Sequence, residues 1–356
     1  MTKQTVWSIE PHTVAKHELL KRYLDAWFPI LSSWNERVLF IDGFAGPGHY
    51  ESGEPGSPRV AVESALRRQS MLANSRVMFL FNESDSDRFA ILDEWRAEQA
   101  AALPQNFSVY TRNQAFRELA DEIVTDRGNR SLVPTFAFVD PFGFKGVPID
   151  LIGSLVRDKR SELFILFSYN SVNRWITHEL QQENLEELFG CSAYKDADGL
   201  APSARKEFLA NLYGEQLKKV GGFSYVSRFE MIEKRGRTSY FLYHCTRSLK
   251  GLEVMRSAMW AIDPNSGSQF SDLVADLEPL FDEPIDFDLD RRLAEHFRGQ
   301  TVSIEVLQKF VLTDTRYALT HLKRPTLKPM QEAGRIECIG QRKKGTYPAG
   351  VSITFL

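Results

Sequence analysis

Cysteine is scarce and scattered in this chain. Its 356 residues hold three, Cys191, Cys245 and Cys338, and no two form a Cys-x-x-Cys pair. That usage excludes a disulfide scaffold or zinc knuckle and fits a reducing, cytoplasmic setting. Long apolar runs are missing too. Nothing approaches the roughly 20 residues that a membrane span needs, and the N-terminus shows no signal-peptide pattern, so no membrane partner is expected. His178, His244, His296 and His321 show no ligand spacing, and no metal site is expected. A nuclease-like or other hydrolytic use of the acidic residues is the least expected of the functions weighed. Internal repeats and low-complexity tracts are likewise absent.

The composition is that of a globular protein, 43% hydrophobic and 26% charged, with room for two domains. A formal net charge of −3 hides an asymmetry. Residues 289 to 356 carry twelve Lys or Arg against six Asp or Glu, a local +6, so the remainder carries −9. A basic end on an acidic body points to an anionic partner for that end, or to a solvated basic face.

Near the N-terminus, "HTVAKHELLKRYLDAWFPILSSW" has helical periodicity, gathering Leu19, Leu20, Tyr23, Leu24, Trp27 and Leu31 on one side. Five strand-then-helix units come next, their strands "RVLFID", "RVMFLFNE", "FSVYT", "TFAFVD" and "ELFILFSYN". Such alternation predicts a parallel sheet with helices on both faces, and continuous apolar strands are what covering both faces demands. "SYVSRFEMIEKRGRTSYFLYHCT" then reads as an antiparallel hairpin. Parallel units closed by a hairpin describe the doubly wound sheet of class I methyltransferases.

The first strand runs into "FIDGFAGPG". Glycines here let backbone approach a ligand at a strand's carboxyl end, where doubly wound folds bind nucleotides, although the same residues also make a plain strand-to-helix bend. Asp42, Gly43, Phe44, Gly46 and Gly48 are the candidates in this turn. Glu83, after the second strand, is placed to accept hydrogen bonds from ribose hydroxyls, or simply to cap the next helix. Asn113 and Gln114, after the third, could bracket an adenine edge. After the fourth comes "FVDPFGFKG": Asp140 and Pro141 could orient an acceptor amine, while Phe142 or Phe144 stacks on a planar substrate or packs in the core. Lys16 could reach a cofactor carboxylate or a substrate phosphate. Acid, glycines and acid-proline on successive strand tips together point to S-adenosyl-L-methionine as cofactor.

"WSIEPHTVAKHELLKRYLDAW", "FIDGFAGPG" and "FVDPFGFKGVP" together resemble the three-Cys-motif partner proteins, a bacterial methyltransferase-like group, over most of residues 7 to 262. The resemblance implies a class I methyltransferase-like fold working beside a radical-SAM-like partner protein, with nucleic acid as a candidate substrate. Asp140 and Pro141 match the aminomethyltransferase pattern; Phe142 and Gly143 stand where that pattern has a second proline and an aromatic.

A Pro-, Asn-, Ser- and Gly-rich stretch opens at Asp263. We therefore expect a helical extension at 1–36, the core domain at 37–262, a linker at 263–284 and a C-terminal domain at 285–356. The last has the outline of a winged helix: three short helices, then two strands around "GQRKKGTY". Lys323, Arg324 and Lys328 on the last helix, with Arg342, Lys343 and Lys344 in the wing, could neutralise DNA or RNA phosphates. Such modules also dock proteins, and Pro325 and Pro329 interrupt the would-be recognition helix. The function expected is methyl transfer to nucleic acid; the alternative is a nucleic-acid-binding partner that keeps the fold without transferring methyl groups.

Overall fold

A computed structural model describes residues 5–128, 130–275 and 287–356. The chain divides into two compact units, Met1–Ser248 with Phe270–Asp276, and Leu249–Gln269 with Leu277–Leu356. No helix among the described residues is long and apolar enough to cross a membrane.

The first unit opens with α1 (Pro11–Ser32), whose proline occupies the first turn, where its missing N–H costs nothing. Alternating elements succeed it: β1 (Arg37–Asp42), α2 (Ser57–Arg67), β2 (Arg76–Asn82), α3 (Ser86–Gln99), β3 (Phe107–Arg112), α4 (Phe116–Arg127), β4 (Thr135–Val139), α5 (Ile149–Leu155) and β5 (Glu162–Phe167). Helices α6 (Tyr169–Trp175), α7 (Gln182–Phe189) and α8 (Pro202–Gly221) lead to the hairpin β6 (Tyr225–Ile232) and β7 (Thr238–Thr246). With β8 (Gln269–Ser271) at its end, the sheet order is β3-β2-β1-β4-β5-β7-β6-β8, and β7 is antiparallel to both neighbours. This is a mostly parallel, doubly wound α/β sheet closed by an antiparallel hairpin.

Its core arises from the apolar strands. Every residue of β4 and β5 is buried, and Leu19, Leu20, Leu24 and Phe28 of α1 are wholly withdrawn from solvent. Each such side chain contributes about 1.5–3 kcal/mol. Because parallel strands share one direction, their carboxyl ends gather along a single edge, and the sequence candidates of this unit lie there or at the start of α1.

The second unit begins with α9 (Leu249–Ile262) and Gln269 of β8 (Gln269–Ser271); α10 (Asp272–Ala275) belongs to the first. From residue 287 onward come α11 (Leu289–His296), β9 (Thr301–Ser303), α12 (Ile304–Asp314), α13 (Lys328–Glu332), β10 (Ile336–Ile339) and β11 (Ser352–Phe355). The three strands form an antiparallel sheet, β10-β11-β9.

Three expectations need correcting. The division falls after Ser248, not at 262, because Trp260 of α9 donates to the Arg316 carbonyl at 2.7 Å and stacks on Tyr317. The first part of the expected linker is an ordered turn, where the Asp263 carboxylate accepts the N–H groups of Asn265, Ser266, Ser268 and Gln269. Residues 276–284 lie outside the described residues. The expected single recognition helix is broken into a 3-10 turn (Leu319–His321), a π turn (Lys323–Leu327) and α13, since neither Pro325 nor Pro329 can donate a backbone hydrogen bond.

Candidate functional site

Hydrogen bonds join the tips of β1, β2 and β3 into one piece. Asn82, the last residue of β2, donates its side-chain amide to the carbonyls of Gly43 (3.1 Å) and Gln114 (3.0 Å). Glu83 accepts the Gly46 N–H on one carboxylate oxygen at 3.0 Å and the Asp85 N–H on the other at 2.8 Å. The Asn113 amide donates to the Glu83 carbonyl at 2.7 Å. A carboxylate as buried as Glu83 is tolerable only with such partners, and here they also fix the shape of the first turn.

The glycines of that turn are small for different reasons. A methyl on Gly43 would fall 2.6 Å from the Phe116 ring, on which Phe44 stacks at 5.2 Å. Gly46, at φ +61°, has a left-handed backbone and open space where a side chain would stand. Packing sets the first position, and backbone conformation sets the second.

Asp42 is wholly buried. Its Oδ1 accepts the Phe44 N–H at 3.0 Å, whereas Oδ2 makes no hydrogen bond of normal geometry among the described residues. Burial pushes its carboxyl up to about 7; the Ser57 hydroxyl, the Phe44 N–H and the Lys16 charge oppose that, while Asp140 adds to it.

Lys16 reaches from the first turns of α1 to an ion pair with Asp140 at the end of β4. Its ammonium also lies 5.8 Å from the centre of the Tyr240 ring. Beside it, His17 is buried with Nδ1 unpartnered, and burial first, then the Lys16 charge, push its pKa down to about 3. It is neutral at any physiological pH. One turn earlier, His12 contacts Asp272 at 2.8 Å and Glu10 at 3.1 Å.

His17, Asp140 and the turn at Gly46–Gly48 border a cavity of about 40 Å³. Its other walls are aromatic: Trp7 meets Tyr50 edge-on at 6.1 Å and Phe142 at 5.9 Å. The Arg88 guanidinium lies 4.6 Å from the Trp7 ring centre and 5.4 Å from that of Phe142. Ligand pockets usually run to roughly 300 Å³ or more, so this cavity is smaller than a nucleotide-sized ligand.

The structure thus brings together Lys16, Asp140, Gly46, Gly48 and Phe142, with Asp42 and Glu83 just behind the turn. Gln114 turns its amide to Glu122 at 2.9 Å. Phe144 is buried in the core while Phe142 is 72% exposed, so only the latter ring is open to solvent; Pro141 is buried. In the second unit, Arg324, Lys328, Arg342, Lys343 and Lys344 are exposed and Lys323 is half-buried. Sequence reading missed Trp7, Tyr50 and Arg88. Tyr50 lies two residues past Gly48 and was within reach of the motif, but no spacing rule marks Trp7 or Arg88.

No protein-family model and no curated protein sequence matches the chain. Among solved structures, it is similar to human methyltransferase-like protein 13 in complex with SAH, at 10% identity and a TM-score of 0.34, covering 70% of this chain and 92% of that one. It is similar also to the SAM-dependent methyltransferase from Agrobacterium tumefaciens, at 11% identity and a TM-score of 0.36, covering 68% of this chain and 64% of that one. Superpositions this loose establish neither ligand nor reaction. Function has to be read from this chain's own strand order and strand tips.

Proposed function

We propose that the chain is an S-adenosyl-L-methionine-dependent methyltransferase-like protein that acts on nucleic acid in the cytoplasm. The observation that carries this reading is the joined set of tips: Glu83 holding Gly46, the buried Asp42 carboxylate beneath the turn, and Asp140 beside them just past β4. Each Glu83 oxygen keeps a lone pair after its backbone bond, enough for the two ribose hydroxyls. Asp42 and Lys16 suit the amino and carboxylate groups of the methionine end, and Asn113 and Gln114 suit the adenine edge. When bound, the cofactor supplies an electrophilic methyl on a sulfonium sulfur. The protein's part is then positioning and exclusion of water, with Asp140 accepting a proton-bearing acceptor group and Phe142 stacking on its ring.

The second unit is read as a winged-helix-like module. The order α11, β9, α12, α13, β10, β11 supports this, with the basic segment 342–344 between the last two strands as the wing. Exposed Arg324, Lys328, Arg342, Lys343 and Lys344, with Lys323, would contact phosphates and supply salt-sensitive affinity without reading sequence.

A second reading has its own support. Lys16 already neutralises Asp140, and the cavity is small, which suits a nucleic-acid-binding member of the three-Cys-motif partner group that serves a radical-SAM-like enzyme and transfers no methyl group itself. Incubating the purified chain with methyl-labelled S-adenosylmethionine and duplex DNA, single-stranded DNA or RNA separates the two. Label incorporated by the wild type and lost in Asp140→Ala, with nucleic-acid binding retained, supports the first. No incorporation into any of the three by a protein that binds the cofactor supports the second.

A further inference from the structure

Parallel α/β folds place ligands at the carboxyl edge of the sheet. The other edge of this unit carries a feature which that rule does not explain. The α4–β4 connection and the α5–β5 connection border an open cavity of about 470 Å³ lined by the exposed Arg130, Arg157, Lys159 and Arg160, with Ser131 and Asp158. A five-residue strand spans about 17 Å, so this cavity cannot share a ligand with the site at the opposite strand ends.

The four cations have little to neutralise them. Arg130 donates to the Asp126 and Arg127 carbonyls at the end of α4, and Arg157 to the Gly128 carbonyl at 2.8 Å. Arg160 bonds the Asn35 side-chain oxygen, and no ion pair engages Lys159 among the described residues. The one carboxylate bordering the cavity, Asp158, is committed to buried Arg127 at 3.3 Å and to the Leu132 N–H at 3.1 Å. Neutral partners, the backbone carbonyls and the Asn35 amide oxygen, hold these guanidinium groups without cancelling their charge.

The loop that carries Arg157, Lys159 and Arg160 is tied down by one cation. Arg247, on the strand end beside β5, donates to the carbonyls of Val156, Asp158 and Ser161 at 3.0 Å each, and to Gly221 and Gly222. Guanidinium groups already hydrogen-bonded around a concave surface lose little further freedom on binding an anion. Leu132 is the one hydrophobic residue in the wall, so nothing there would hold a base or a lipid chain.

We propose that this cavity binds phosphate groups, two or more at a time, carried by a free pyrophosphate-like ligand or by a nucleic-acid backbone. The assignment does not depend on the methyltransferase reading. Guanidinium groups pair with phosphate oxygens through parallel hydrogen bonds, and three arginines with a lysine supply donors for two such groups.

The test is calorimetric titration of the full chain with pyrophosphate and, separately, with a 20-base-pair duplex. Variants are Lys159→Gln/Arg160→Gln, chosen because neither side chain caps a helix, and Arg157→Lys, which keeps the charge. The duplex is also titrated into a chain carrying Arg342→Glu, Lys343→Glu and Lys344→Glu, to remove the second unit's contribution. We expect saturable pyrophosphate binding weakened about tenfold or more in the double variant, at unchanged melting temperature, and largely kept in Arg157→Lys. Duplex binding sensitive to the double variant, with no pyrophosphate binding, identifies the backbone as the source. Failure of the wild type to bind either probe, or equal binding by the double variant, overturns the proposal. Cofactor titration reads the opposite edge, so the two assignments fail separately.

Discussion

The Lys16 ammonium, on the helix before the first strand, is ion-paired with Asp140 at the tip of the fourth strand, 124 residues further on. Both side chains are largely withdrawn from water, at 7% and 19% exposure. The pair ties α1 to the edge of the sheet where the strand tips converge.

Removing one member leaves the other desolvated and alone. Lys16→Met should lower stability by about 3 kcal/mol, while Lys16→Met/Asp140→Asn should lose much less, since no charge is then stranded. Urea denaturation of the two variants checks this. Equal losses in both would mean that packing, not charge, holds this contact.

Asp42 makes stability depend on pH. Its carboxyl rises from an ordinary 3.8 to about 7 mainly through burial, so the fold favours the protonated form. That contribution is fully present below about pH 4 and disappears as pH climbs through 7. Relative to Asp42→Asn, the wild type should therefore lose stability between pH 4 and 7, by roughly 4 kcal/mol at most. Parallel stability curves for the two proteins over that window would contradict it.

The two glycines of the first turn should respond differently to repair. Gly43→Ala meets the Phe116 ring and should cost about 1–3 kcal/mol, much of it recovered by adding Phe116→Leu. Gly46→Ala meets no atom, yet loses about 1–2 kcal/mol to its left-handed backbone, and Phe116→Leu should not help it. Thermal unfolding of the four variants separates steric from conformational cost.

Much of the first unit was legible because its signals are local. "RVLFID", "TFAFVD" and "ELFILF" are runs whose burial on both faces shows in their composition, and the hairpin around "EKRGR" shows in its turn. Contacts across long sequence distances were not legible. Lys16 could be placed near the strand tips but not paired with Asp140, and the packing of α9 depends on where Trp260 finds Tyr317. Phe142 and Phe144 look alike in sequence; only the turn geometry puts one outside and the other in the core. β9 has three residues, too few for any periodicity to register.

In the second unit, Arg342→Glu/Lys343→Glu/Lys344→Glu should weaken nucleic-acid binding and reduce the slope of log affinity against log salt by up to about 3. Fluorescence anisotropy at several salt concentrations measures both. Unchanged affinity and slope would make this unit a protein-docking module.

The central claim is that the joined strand tips hold S-adenosylmethionine. Calorimetric titration of the full chain with S-adenosylmethionine and S-adenosylhomocysteine, beside Gly46→Arg, tests it most directly. The account predicts micromolar binding of both ligands by the wild type and its loss in the variant, whose side chain would fill the space next to Glu83. Absence of binding by a folded wild-type protein, or equal binding by the variant, would contradict it.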